Sequence, residues 1–208
     1  MTNHTTYEGK KSKVVWPLAI ILAIVPLVVR LREIKLPEIT KQFWDNGSGT
    51  YADFFSANKV IVLGIATLVG MIFFMMEYIK NSSYQGRKVE KKLYKNKIVY
   101  SCLGIYMFCA IFSTMMARKG ERALAFFGAP GRYEGLITIL FYMITMVLAM
   151  YVGQEWWNVK AMYKIFAWGA FVLGLIGIGQ FFGIDFFQLD GGKALILPHK
   201  YLHLADQV

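Results

Sequence analysis

At 208 residues, the chain is 56% hydrophobic and only 17% charged, too apolar a balance for an ordinary soluble domain. Its net charge of +10 would suit nucleic acid, but the basic residues sit between apolar runs instead of lining one face, so no nucleic-acid partner is expected. Five apolar runs and their connections take up the whole length, which leaves no room for a soluble catalytic domain.

Residues 1–13 are polar, contain Lys10, Lys11 and Lys13, and are expected to be a cytoplasmic tail. Residues 14–31 form the first predicted span, with the charge of Arg30 snorkelling to the headgroups. Pro17 falls in a first helical turn, where a missing N–H costs little, and Pro26 predicts a kink at the outer end. No Ala-x-Ala-like site follows the run, so it is read as an uncleaved span and not as a signal peptide.

Residues 30–59 make a first outer loop. Asn-Gly-Ser-Gly at 46–49 is turn chemistry, and Phe43, Trp44, Tyr51, Phe54 and Phe55 around it read as interface anchors, with a contribution to a substrate groove as the alternative. The second span covers 60–79, long enough at about 1.5 Å per residue to cross a core about 30 Å thick. Within it Ala66 and Gly70, four apart, predict close helix packing. Glu77 stands three residues before Lys80, a spacing that predicts an ion pair at the interface.

Lys80, Arg87, Lys88, Lys91, Lys92, Lys95 and Lys97 then form a basic loop facing anionic headgroups. The third span is 98–116. Its two cysteines, Cys102 and Cys109, lie about 10.5 Å apart along one helix face, beyond the roughly 7 Å reach of a disulfide, and are read as small apolar residues. The fourth span is 136–152. Lys160 and Lys164 precede the fifth, 165–184, where Ala170/Gly174 and Gly179/Gly183 again predict helix packing. Beyond it, His199 and His203 have a ligand-like spacing without a third ligand, so they read as a surface pair and no metal site is expected.

If every run spans, the stretches on the N-terminal side hold 12 of the 23 Lys and Arg with three acids, against 11 with nine acids on the other side. The denser basic side is assigned to the cytoplasm. The predicted fold class is therefore all-α: a polytopic transmembrane helix bundle of five spans with a cytoplasmic N-terminus. Residues 14–208 form its membrane domain, expected to be the N-terminal part of a longer protein.

The segment between the third and fourth spans carries the most chemistry. Arg118 and Arg122 close the third span. Gly128, Pro130, Gly131 and Gly135 then force a tight, irregular backbone around Arg132, Tyr133 and Glu134. Arginine forks match phosphate oxygens bidentately. The competing reading pairs these arginines with Glu121, Glu134 and lipid headgroups.

Residues 126–136, Phe-Phe-Gly-Ala-Pro-Gly-Arg-Tyr-Glu-Gly-Leu, resemble the equivalent outer turn of O-antigen ligase-like membrane proteins, the bacterial O-antigen ligases and polymerases. Residues 179–185, Gly-Gln-Phe-Phe-Gly-Ile-Asp, are similar to Gram-positive members. The likeness covers roughly 98–208; residues 1–97 match in topology alone. It implies a multi-pass glycosyltransferase of the bacterial plasma membrane. Such an enzyme transfers a glycan from a polyprenyl diphosphate carrier to an acceptor on the outer face, without a metal or other cofactor.

On that resemblance the polyprenyl-diphosphate-linked glycan and membrane lipids are the expected partners. Arg132, then Arg118 and Arg122, would hold the diphosphate, and Tyr133 would brace the turn or touch sugar. The family has about twice as many spans, and its later outer loop carries the acceptor-side catalytic residues. A transporter or flippase fragment, or a membrane scaffold docking partners through 80–97, is the alternative. The spans hold mild polar groups such as Thr67, Thr145 and Gln180 in place of midplane charges, which argues against ion coupling.

Overall fold

The computed structural model describes residues 12–36, 38–44, 47, 49–94, 97–184 and 189–198. The protein is mostly helical. Among the described residues, three helices are long and apolar enough to cross a membrane: Ser56–Lys80, Lys97–Met116 and Trp156–Phe181. Two more apolar helices are shorter, Val15–Leu27 and Leu136–Val152.

The first expected span is cut short. Helix α1 runs Val15–Ala23 and passes into a 3-10 turn, Val25–Leu27. Pro26 has no N–H to continue the ladder, and its ring clashes with the carbonyl one turn back. Val28 is already extended. The chain then enters β1, Arg32–Lys35, which pairs antiparallel with β2, Thr50–Asp53, around α2, Glu38–Trp44. This hairpin corrects the all-α expectation. Along β1 only Ile34 is apolar, half-buried between exposed neighbours.

Helix α3 spans Ser56–Tyr94, 39 residues and about 58 Å, nearly twice the hydrocarbon thickness. The expected basic loop is therefore helix as far as Tyr94. Residues 81–94 hold no proline and include Arg87, Lys88, Glu90, Lys91, Lys92 and Leu93, all good helix formers. Helix α4, Lys97–Met116, and α6, Leu136–Val152, match the third and fourth runs. The short α5, Arg122–Phe127, lies between them. Helix α7, Trp156–Phe181, starts nine residues before the fifth expected run, so Lys160 and Lys164 stand on its first turns. A further short helix, α8, covers Asp190–Ile196.

The core forms where α1 meets α3, α6 and α7. Val14, Val15, Leu18, Leu148 and Val152 are buried there, with Phe73, Phe74 and Met162 packed against them. A Cβ on Gly70 would come 2.8 Å from Leu148 and 3.5 Å from Pro17, so the Ala66/Gly70 pair does bring helices close. The pairs on the fifth run do not. Gly174 has open space around it, Ala170 is exposed, and Gly183 ends α7 with a left-handed φ of +79°. The Ile184 N–H returns to the Gly179 carbonyl at 2.9 Å, a glycine helix stop. Across the α3–α6 contact, the Thr67 and Thr145 hydroxyls are 3.0 Å apart. Cys102 and Cys109 are free and exposed on α4.

Two polar ends frame this core. At one, Glu77 accepts hydrogen bonds from Ser12 Oγ (2.8 Å), the Lys13 N–H (2.6 Å) and the Tyr151 hydroxyl (3.3 Å). Buried Asn158 accepts the Ser12 N–H at 3.2 Å. Glu77 thus sits at the start of α1, where free N–H groups and the helix dipole favour negative charge. Among the described residues no ion pair joins it to Lys80, which corrects the spacing-based pairing. Glu77→Ala should lower unfolding stability by about 1–3 kcal/mol, the cost of three orphaned donors, measurable by thermal unfolding in detergent. The opposite end holds the hairpin and the glycine-rich turn.

Candidate functional site at the glycine-rich end

Segment 117–135 links the C-terminus of α4 to the N-terminus of α6. Helix α5 packs on both and ends where the Gly128 N–H meets the Leu124 carbonyl at 2.7 Å. The chain then doubles back. A Cβ on Gly128 would lie 2.4 Å from the Glu134 nitrogen and 2.6 Å from Tyr133 Cα. One on Gly135 would lie 2.4 Å from both the Gly128 nitrogen and the Phe126 carbonyl oxygen. Only glycine permits so close a backbone approach. Within the loop the Arg132 and Tyr133 N–H groups share the Ala129 carbonyl, at 3.1 and 2.9 Å.

Tyr133 is held at φ 54°, the left-handed region, which costs a side-chain-bearing residue about 1–2 kcal/mol. Thr138, on the first turn of α6, locks this conformation by donating its hydroxyl to the Tyr133 carbonyl at 2.5 Å.

The hairpin packs against the turn. Ser56 at the start of α3 donates its hydroxyl to the Gly131 carbonyl at 2.5 Å. The Tyr51 hydroxyl lies 2.8 Å from where a Gly131 Cβ would stand. Asp53 closes β2 opposite Arg32 and is 4% exposed. Its Oδ1 accepts the N–H groups of Phe55 (2.8 Å) and Ser56 (2.7 Å), capping α3. Its Oδ2 is buried without a partner among the described residues, and so is the Tyr133 hydroxyl.

Burial pushes the Tyr133 phenol up to about 12; the Asp53 charge adds to the rise, Arg32 opposes it and Tyr51 adds to it. The raised value means the folded protein holds this proton more tightly than the unfolded chain. The stabilisation is complete below the ordinary tyrosine value of about 10. It should be lost as pH rises through about 12. Ultraviolet titration of tyrosinate absorbance should show a late component, near pH 12, that Tyr133→Phe removes.

Of the residues singled out in the sequence, Arg118, Arg122 and Arg132 are all exposed at this end. Arg122 Nε donates to the Ala117 carbonyl at 3.3 Å. Among the described residues the side chains of Arg118 and Arg132 have no hydrogen bond or ion pair, and neither Glu121 nor Glu134 pairs with any of the three. At the end of α4, next to Arg118 in sequence, lies an open groove of about 660 Å³ lined by Phe112, Ser113, Thr114, Met116, Ala117 and Ala125.

Sequence reading missed Asp53, Arg32 and Ser56. An acid three residues before the serine that opens an apolar run is a helix-start signal, so Asp53 was findable as a cap. The joint it stands beside, where Ser56 bonds Gly131, was not. Tyr51, one of the aromatics of the first outer loop, lies against Gly131. His199 and His203 lie outside the described residues, as do Asn46 and Ser48 of the 46–49 turn; among the described residues no three His, Cys, Asp or Glu side chains cluster as metal ligands.

No protein-family model matches the chain, and searches of curated proteins and of solved structures find no match either.

Proposed function

We propose that this is the membrane-embedded part of a glycosyltransferase of the O-antigen ligase or polymerase type, which handles a polyprenyl-diphosphate-linked glycan at the outer face of a bacterial plasma membrane. In this reading five segments cross or enter the bilayer, the N-terminus is cytoplasmic, and the glycine-rich turn faces outward. The observation that carries it is the juxtaposition at that end. A groove of mixed polar and apolar lining at the end of α4 adjoins Arg118 in sequence, and this end exposes Arg118, Arg122 and Arg132, the first and last without a side-chain partner among the described residues. An isoprenoid tail needs the groove, and a diphosphate needs fixed cationic donors near a low-dielectric boundary. Arg118 and Arg122 close the groove's rim in sequence, and Arg132 stands on the rigid turn. Tyr133 serves as the brace of that turn.

The test is equilibrium binding to the protein in lipid nanodiscs. Farnesyl diphosphate should bind at least about tenfold more tightly than farnesyl monophosphate, the worth of one added charge-assisted contact. Arg132→Ala should bring the two ligands close together. Equal binding of both ligands to the unaltered protein would remove the diphosphate site.

A further inference from the structure

Asp53 and Tyr133 present complementary needs. Asp53 Oδ2 is an acceptor without a donor, and the Tyr133 hydroxyl is a donor without an acceptor; both are buried and they do not bond each other. Orphaned buried polar atoms are uncommon and call for a partner from outside the chain. We propose that Asp53 and Tyr133 form a binding site for a hydroxyl group of an uncharged polyol, with the carboxylate accepting its proton and the phenol donating to its oxygen.

A hydroxyl both donates and accepts, so one group meets both needs. The phenol keeps its proton up to about pH 12 and remains a donor at every physiological pH. A metal cation fits poorly. It would leave the phenol proton unused, Arg32 stands opposite Asp53 in the hairpin, and among the described residues no group of three His, Cys, Asp or Glu side chains forms a ligand cluster. An anion is opposed by Asp53 itself. The pair sits at the joint between hairpin and turn, which Ser56 and Tyr51 make against Gly131, so a ligand enters by parting that joint. The backbone strain falls on Tyr133, the residue whose hydroxyl is buried without a partner among the described residues.

Two sources offer such hydroxyls: a sugar unit and the glycerol headgroup of a phospholipid. The inference goes beyond the diphosphate reading, since it uses none of the three arginines and no phosphate.

Native mass spectrometry of the full chain released from nanodiscs tests it. Three preparations are compared: phosphatidylcholine alone, phosphatidylcholine with added lactose or chitobiose, and phosphatidylcholine doped with phosphatidylglycerol. Asp53→Asn keeps the cap, because asparagine caps helices as well as aspartate, but puts donors where the acceptor was. Tyr133→Phe keeps the ring and removes the hydroxyl. Retained saccharide or phosphatidylglycerol should fall about tenfold in each variant. Loss confined to the saccharide identifies a glycan site, and loss confined to phosphatidylglycerol a lipid-headgroup site; either supports the proposal. Equal retention by both variants and the unaltered protein, or no retention by any, overturns it and leaves a buried water as the bridge. Farnesyl diphosphate binding measured on the same samples reads the arginine site separately.

Discussion

Gly135→Ala should abolish the folded outer end, with a loss of about 3 kcal/mol or more in unfolding stability. The added methyl would lie 2.4 Å from the Gly128 nitrogen and from the Phe126 carbonyl oxygen, and 2.5 Å from the Phe127 carbonyl carbon. All three are backbone atoms, so no side chain can rotate away. Relief requires the turn to open, which separates Tyr133 from Thr138 and Gly131 from Ser56. Gly128→Ala should be comparably damaging: its methyl meets the facing backbone of Tyr133 and Glu134, and its φ of +86° adds left-handed strain. The control is Gly174→Ala on α7, where a methyl meets nothing within 4 Å and alanine is the better helix former by up to about 1 kcal/mol. Unfolding midpoints in detergent should fall sharply for the first two and hold or rise for the third. Equal midpoints for Gly135→Ala and Gly174→Ala would mean the turn does not close on itself.

The elements most legible in the sequence were those whose ends are written locally. Helix α6 begins after Gly135 and ends before Gly153, and its observed bounds equal the expected run. Helix α4 is likewise bounded by charge on both sides. The first run misled because hydropathy measures how greasy a segment is and not whether its backbone can continue; Pro26 stops the helix while the apolar residues go on. The opposite error hid the rest of α3, where the charge that ended the apolar run does not end a helix of good formers. The hairpin was missed because four-residue strands, one of them Arg-Glu-Ile-Lys, carry too few apolar positions to show a period. Glu77 and Asp53 illustrate the deeper limit. Glu77 sits three residues from Lys80 yet bonds Ser12 and Lys13, more than 60 residues away, and Asp53 caps α3 locally while its charge acts on Tyr133 from a distant part of the chain. Spacing along one helix cannot reveal an acceptor shared between helices.

That same end separates residues that hold the fold from residues available to a ligand, and the second large effect depends on the difference. The combined variant Arg118→Ala/Arg122→Ala/Arg132→Ala should keep its unfolding midpoint within about 0.5 kcal/mol of the unaltered protein, as exposed substitutions generally do. Arg122 would forfeit one exposed bond to the Ala117 carbonyl; the other two side chains have no bond to lose among the described residues. On the proposed reading its affinity for farnesyl diphosphate should nevertheless fall by at least about a hundredfold. Two charge-assisted contacts at roughly 1.5–3 kcal/mol each already exceed the 2.7 kcal/mol or so that such a ratio requires. The remaining affinity should match that of a neutral isoprenoid such as farnesol, which uses the groove along Phe112, Met116 and Ala125 alone. Salt discriminates further, because a site built on exposed guanidinium groups weakens as ionic strength rises, whereas the groove does not. A triple variant that melts normally, binds farnesyl diphosphate as before and shows the same salt dependence would mean that the arginines meet only headgroups, and the diphosphate would have to be placed elsewhere in the molecule.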